Sequence, residues 1–210
     1  MTTLVLASRS PRRADILRQL GIDFTVDSAD IDETPVVGES PREHVQRLAV
    51  AKCRRVARRH AGDCVVLAAD TTVDLDGAIL GTPRDTDEAR VMLRRLSART
   101  HLVHTAVCVA RGELPFDGHP SHAPATSPSE PVVALDTAAV TMGPIDPDLL
   151  ERYLATGESL DKAGAYAVQG GASIFVERVS GQLTTVVGLP VRLVERLLHP
   201  HGLLPGGPRP

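Results

Sequence analysis

Six consecutive apolar residues, Cys64 to Ala69, stop abruptly at Asp70. A run of that length without polar alternation is a strand apolar enough to be central, which calls for layers packed around a sheet. The carboxylate that ends it falls where ligands collect in open α/β sheets, beyond the carboxyl ends of the strands. There Asp70 suits a metal ligand or a general base; the ordinary alternative is an aspartate that caps or turns the chain.

The surrounding pattern alternates strands with helices. Leu4 to Ala7 reads as a short buried strand that runs through Ser8-Arg9-Ser10-Pro11-Arg12-Arg13 into an amphipathic helix reaching about Leu20, with Ser10 as N-cap, Pro11 as first helical residue and Gly21 as stop. Ser40-Pro41-Arg42-Glu43 is a capping box opening a second helix to about His60. Val73 to Leu80 folds back through Asp76-Gly77, and Asp85 with Glu88 caps a third helix ending at Leu96. Thr100 to Val109 and Val132 to Met142 are two long strands, joined by a proline-rich insertion over 112–131 that is expected to be mobile. Asp146-Pro147 opens a fourth helix ending near Gly157. A hairpin is expected from Ser173–Val179 and Gln182–Val187, then a closing helix from Pro190. The whole is a mixed α/β domain over 1–201 with a tail over 202–210 expected to fray.

Composition narrows the function. With a net charge of −3 and 42% apolar residues, neither disorder nor a polybasic surface for nucleic acid or membrane is supported. Aromatic residues number five, too few for rows of rings that stack single-stranded bases. No segment approaches the ~20 apolar residues of a membrane span, and Leu4 to Ala7 is too short for a signal sequence. Cys53, Cys64 and Cys108 form no Cys-x-x-Cys pair, which fits a reducing cytoplasm.

Three features carry chemistry. The loop Ser8 to Arg13 places hydroxyls and guanidinium groups at a helix N-terminus, a cradle suited to a polyphosphate, although a capped helix with solvated arginines has the same pattern. Lys52 and Lys162 are the only lysines among 23 basic residues. Lys52 falls on the apolar face of the second helix, seven residues after Val45 and four before Val56, so it either snorkels or meets a buried anion. Asp32-Glu33 offers a second carboxylate, though an isolated acidic pair is usually solvated. His101 and His104 point to opposite faces of one strand and cannot chelate a common ion.

Taken in order, Leu6-Ala-Ser-Arg-Ser-Pro-Arg-Arg13, Ala49-Val-Ala-Lys52, Ala69-Asp-Thr-Thr-Val73, Pro83-Arg-Asp85, Asp161-Lys-Ala-Gly-Ala-Tyr166, Gln169-Gly170 and Val187-Gly-Leu-Pro190 resemble the Maf family of nucleoside triphosphate pyrophosphatases. The resemblance implies a two-lobed Maf/ITPase-like fold with a central mixed sheet and a substrate cleft between the lobes. It also implies a homodimer and hydrolysis of a triphosphate to monophosphate plus pyrophosphate with Mg²⁺ or Mn²⁺. By the same resemblance Ser8, Ser10, Arg12, Arg13 and Lys52 would hold the triphosphate, Asp70 would be the general base, and Glu33 with Asp70 would lie nearest the metal.

The motifs follow the dTTP/UTP branch, which assigns base selection to Arg12, Thr71 and Gln169. Thr82 stands where the family usually has a lysine, a charge that Arg84 or Lys162 would have to replace. Two other readings remain at this stage: a nucleotide-binding regulator of septum formation with little turnover, and a house-cleaning pyrophosphatase for non-canonical purine triphosphates.

Overall fold

The computed structural model describes residues 2–60, 63–112 and 130–205. Among them, a mixed seven-stranded sheet runs in the order β2-β1-β3-β5-β6-β7, with β4 paired to the far end of β3. The strands are β1 (Thr3–Leu6), β2 (Thr25–Val26), β3 (Cys64–Leu75), β4 (Ala78–Leu80), β5 (Thr100–Arg111), β6 (Val132–Met142) and β7 (Val176–Ser180). The helices are α1 (Pro11–Gln19), α2 (Pro41–Ala57), α3 (Thr86–Leu96), α4 (Pro147–Leu154), α5 (Leu183–Val187) and α6 (Val191–Leu198).

The apolar run expected to be central is central. Val65, Leu67 and Ala69 pack on one face against α1 and α6, while Val66 and Ala68 pack on the other against α2. Beyond them Val73 and Leu75 join a separate cluster with α3, α4, Tyr166 and Phe175. The first and third clusters thus share one face of the sheet at opposite ends of β3. Two lobes result, with Asp70 to Thr72 between them.

Asp70 does not end the strand. β3 runs through it to Leu75, twelve residues in all, because β5 pairs with it antiparallel from Val65↔Arg111 to Asp74↔Leu102. An unbroken ladder outweighs the weak strand preference of an aspartate. What stops is the neighbour on the other side: β1 pairs parallel with β3 only as far as Leu6↔Leu67, and β4 resumes pairing at Val73↔Leu80. The Leu67 carbonyl accepts from Ala7 N–H at 2.8 Å, so strand alternation turns the main-chain groups of Ala69 and Thr71 toward the same, now open, edge. The cleft forms at this gap.

Three further expectations are corrected. The second helix ends at Ala57, with a turn carrying the chain to His60. The hairpin over 173–187 does not form: β7 finds an edge on β6, but Leu183–Val187 is helix α5. Its β-branched residues are held helical by tertiary bonds, with Thr105 Oγ1 donating to the Thr185 carbonyl at 2.8 Å and the Thr185 hydroxyl on Asp136. Of the tail expected to fray, Leu203 and Leu204 pack against the α1/α6 cluster. Most of the insertion, 113–129, and tail residues 206–210 lie outside the described residues.

Candidate active site

The strand β1 delivers the chain to the N-terminus of α1 through Ser8, Arg9 and Ser10. Ser10 occupies the N-cap position, yet its side chain makes no capping bond, so the helix does not consume that hydroxyl. Pro11 has no N–H, and the next two helical N–H groups lack intrahelical partners. Ser8 Oγ accepts from Ser10 N–H at 3.2 Å and from Arg13 Nη1 at 3.1 Å, which folds the loop back over the first helical turn.

Arg13 ties α1 to the end of α5 and to the part of β3 that lies between the lobes. Its Nε donates to the Gly188 carbonyl at 2.8 Å and its Nη2 to Thr71 Oγ1 at 3.2 Å, which in turn meets Thr105 Oγ1 at 2.9 Å. Burial lowers its pKa from the usual arginine value, and the Asp70 carboxylate opposes that shift.

Lys52 does not snorkel. Its side chain, 11% exposed, puts Nζ 2.6 Å from Asp70 Oδ1 and 2.8 Å from Glu33 Oε1. The helical periodicity that aimed the ammonium inward therefore carries it to two carboxylates from different segments. Asp70 is 8% exposed, and burial pushes its pKa above the usual carboxylate range; Lys52 and Arg13 partly offset this, while Glu33 adds to it. A carboxyl raised in this way and facing a cleft is a better proton acceptor than an ordinary carboxylate.

These groups line one cleft of about 690 Å³, a size suited to a small-molecule ligand. Ser10, Arg12, Arg13, Glu33, Lys52, Asp70, Thr71, Lys162 and Gln169 all face it. Ser8 lines an adjoining recess that shares Arg12, Arg13, Glu33 and Lys52 with the main cleft. The residues singled out in the sequence are thus brought together, although not all are free. The Thr71 hydroxyl belongs to the Arg13 network, and Lys162 Nζ donates to the Glu158 carbonyl at 2.7 Å and to the Asp161 carboxylate. Arg84, the other candidate to replace a missing lysine, is held by Glu88 at 2.9 Å. Gln169 is exposed at the rim.

Several participants were not legible in the sequence. Asp161 lies between Lys162 and Arg12, 3.9 Å from the latter, where the two lobes approach. Glu158 accepts from Gly171 N–H at 2.9 Å and packs so tightly over Gly170 that a Cβ there would fall 2.2 Å from its Oε1. That contact fixes the loop carrying Gln169. His101 and His104 lie on opposite faces: His101 Nε2 meets the Tyr166 hydroxyl at 2.7 Å, while His104 sits between Asp74 and Thr137. Burial drives the His101 pKa down to about 4, so its ring is neutral. Apart from the adjacent Asp161 and Lys162, nothing local in the sequence marks these partners, because each bonded pairing crosses 13 residues or more.

The sequence profile of a family described as "Maf-like protein" matches residues 3–201. Similar proteins include a dTTP/UTP pyrophosphatase of Anaeromyxobacter dehalogenans, 46% identical over 95% of this chain and 94% of that protein. Another, of Symbiobacterium thermophilum, is 42% identical over 96% and 95% respectively. Among solved structures the Staphylococcus aureus Ham1 protein covers 94% of this chain and 98% of its own at a TM-score of 0.49 and 12% identity, too remote to inform the chemistry.

Proposed function

Because the chain belongs to the Maf family, we propose that it hydrolyses dTTP and UTP to the monophosphate and pyrophosphate. One observation carries the reading: a buried lysine shared by two carboxylates opens onto the same cleft as a basic helix N-terminus. The helix end and arginines suit the polyphosphate, and the carboxylates suit the water that attacks it.

The chemistry follows from the placement. Water attacks the α-phosphorus, Asp70 takes its proton, and the bond from that phosphorus to the bridging oxygen breaks, so pyrophosphate leaves with the electron pair. Burial raises the proton affinity of Asp70, which favours this transfer. Lys52 and Arg13 stabilise charge that grows on the phosphate oxygens during cleavage. Ser8, Ser10 and Arg12 steer the chain of phosphates toward the α1 end of the cleft.

Glu33 and Asp70 fit a divalent cation. Both already touch one ammonium, so their oxygens stand within two hydrogen-bond lengths of each other, and hard oxygen donors are what Mg²⁺ and Mn²⁺ prefer. Two carboxylates alone would leave positions for phosphate oxygens and water, the arrangement Mg²⁺ favours. When bound, such an ion offsets negative charge on the departing pyrophosphate.

Pyrimidine choice falls to hydrogen bonding. The Gln169 amide can both donate and accept along a base edge, and Arg12 and Thr71 face the same cleft. The reading extends to a cytoplasmic homodimer; among the described residues no helix is long and apolar enough to cross a membrane.

Pyrophosphate release from dTTP, UTP, dCTP, GTP and ITP with Mg²⁺ or Mn²⁺ tests this. The expected result is turnover favouring dTTP and UTP. Tight nucleotide binding without product, or a preference for the purine triphosphates, overturns it.

A further inference from the structure

Glu33 sits in a stretch without regular secondary structure between β2 and α2. Its carboxylate is 57% exposed, and Val36 and Val37 further along are exposed too, so no apolar packing fixes these positions. Yet Glu33 meets Lys52 at 2.8 Å.

What holds it is polar. Thr34, the next residue, has both main-chain groups occupied: its N–H donates to Asp32 Oδ1 at 2.9 Å, and its carbonyl accepts from Arg47 Nη2 at 3.2 Å. Arg47, on α2, also grips Glu39 through two bonds, Nε to Oε1 at 2.6 Å and Nη2 to Oε2 at 2.8 Å. Glu39, at 8% exposure, closes the turn by accepting from Val36 N–H at 3.2 Å and facing His44 Nδ1 at 3.1 Å. One guanidinium therefore bridges both ends of the segment 34–39 to the helix that carries Lys52. Only a planar fork can make the paired contact with Glu39 while reaching the Thr34 carbonyl.

We infer that Arg47, clasped by Glu39, is a positioning residue that fixes Glu33 beside Asp70 and Lys52. The inference rests on the reading of Glu33 and Asp70 as the carboxylates nearest the cation. Partners that orient a ligand group typically carry 10–100-fold in metal affinity.

The test is a titration with Mn²⁺ alone, followed by electron paramagnetic resonance of the free ion, on the wild-type chain, Arg47→Ala, Arg47→Lys, Glu33→Gln and the Arg47→Ala/Glu33→Gln pair. Arg47→Ala should weaken Mn²⁺ binding about tenfold, Arg47→Lys by less, and Arg47→Ala should cost nothing further once Glu33 is Gln. A merely structural clasp would lower the unfolding temperature and leave Mn²⁺ affinity unchanged. That outcome, independent losses that multiply in the pair, or a wild-type chain that binds no Mn²⁺ up to millimolar concentration overturns the inference. Pyrophosphate release by the wild-type chain judges the enzymatic reading separately, since the titration contains no nucleotide.

Discussion

At the scale of single residues, Lys52 and Asp70 illustrate how far a pattern reaches. Helical spacing shows that the ammonium points inward, and a buried ammonium requires an anion, but only the fold selects Asp70 and Glu33 over a bound phosphate or a solvated rim. Replacing Asp70 with Asn keeps an acceptor for Lys52 while removing the proposed base. We expect the chain to remain folded by circular dichroism and its turnover to fall roughly 10²–10⁴-fold; near-normal turnover would remove Asp70 from the reaction. Thr82 faces the cleft with no charge, and the two basic residues considered as its replacement are already held by acidic neighbours, Arg84 by Glu88 and Lys162 by Asp161. The variant Thr82→Lys should therefore lower KM for the triphosphate roughly two- to fivefold, the scale of one exposed charge contact. Steady-state kinetics at fixed ionic strength would reveal it.

At the scale of elements, most were legible. The capping box at Ser40 and Glu43 forms with both reciprocal bonds, Asp85 caps α3, and β6 spans Val132–Met142 as expected. These signals are local, acting over three or four residues. The misreadings at Asp70 and at 183–187 share another cause, since both were decided by partners far away in sequence: β5 for the first, Asp136 and Thr105 for the second. Helix α5 ends at Gly188 in the left-handed region, with φ +110, and the Gly188 carbonyl accepts from Arg13. A Cβ there would lie 3.2 Å from Thr71 Oγ1. Gly188→Ala should cost about 1–3 kcal/mol in urea unfolding and raise KM by disturbing Arg13. Stability unchanged from the wild type would mean that the helix end accommodates a side chain after all.

At the scale of the whole molecule, packing and titration are linked. His101, buried against Tyr166, is neutral in the fold with a pKa of about 4 against an ordinary 6.5. The unfolded chain binds that proton first, so stability falls as pH drops from 6.5 to 4. The Glu39 pKa is lowered to about 2, chiefly by Arg47, so its contribution is present above the ordinary 4.5 and is lost as pH falls toward 2. Melting temperature measured against pH should show both limbs, with Glu39→Gln approaching the wild type near pH 2 and a constant offset between them ruling out the lower one. The sequence by itself determined a layered α/β chain and the positions of most helices and strands, and it brought out a cradle, a lysine and an aspartate that the family resemblance reads as machinery for polyphosphate hydrolysis. Periodicity, caps and apolar runs act over a few residues and so can be read without a fold. The tertiary structure alone decided that β1 stops at Leu6, opposite Leu67, while β3 continues, that Arg13 ties α1 to Gly188 and Thr71, and that Arg47 pins the segment bearing Glu33. Those outcomes depend on which distant groups share the same few ångströms, and no local pattern encodes that.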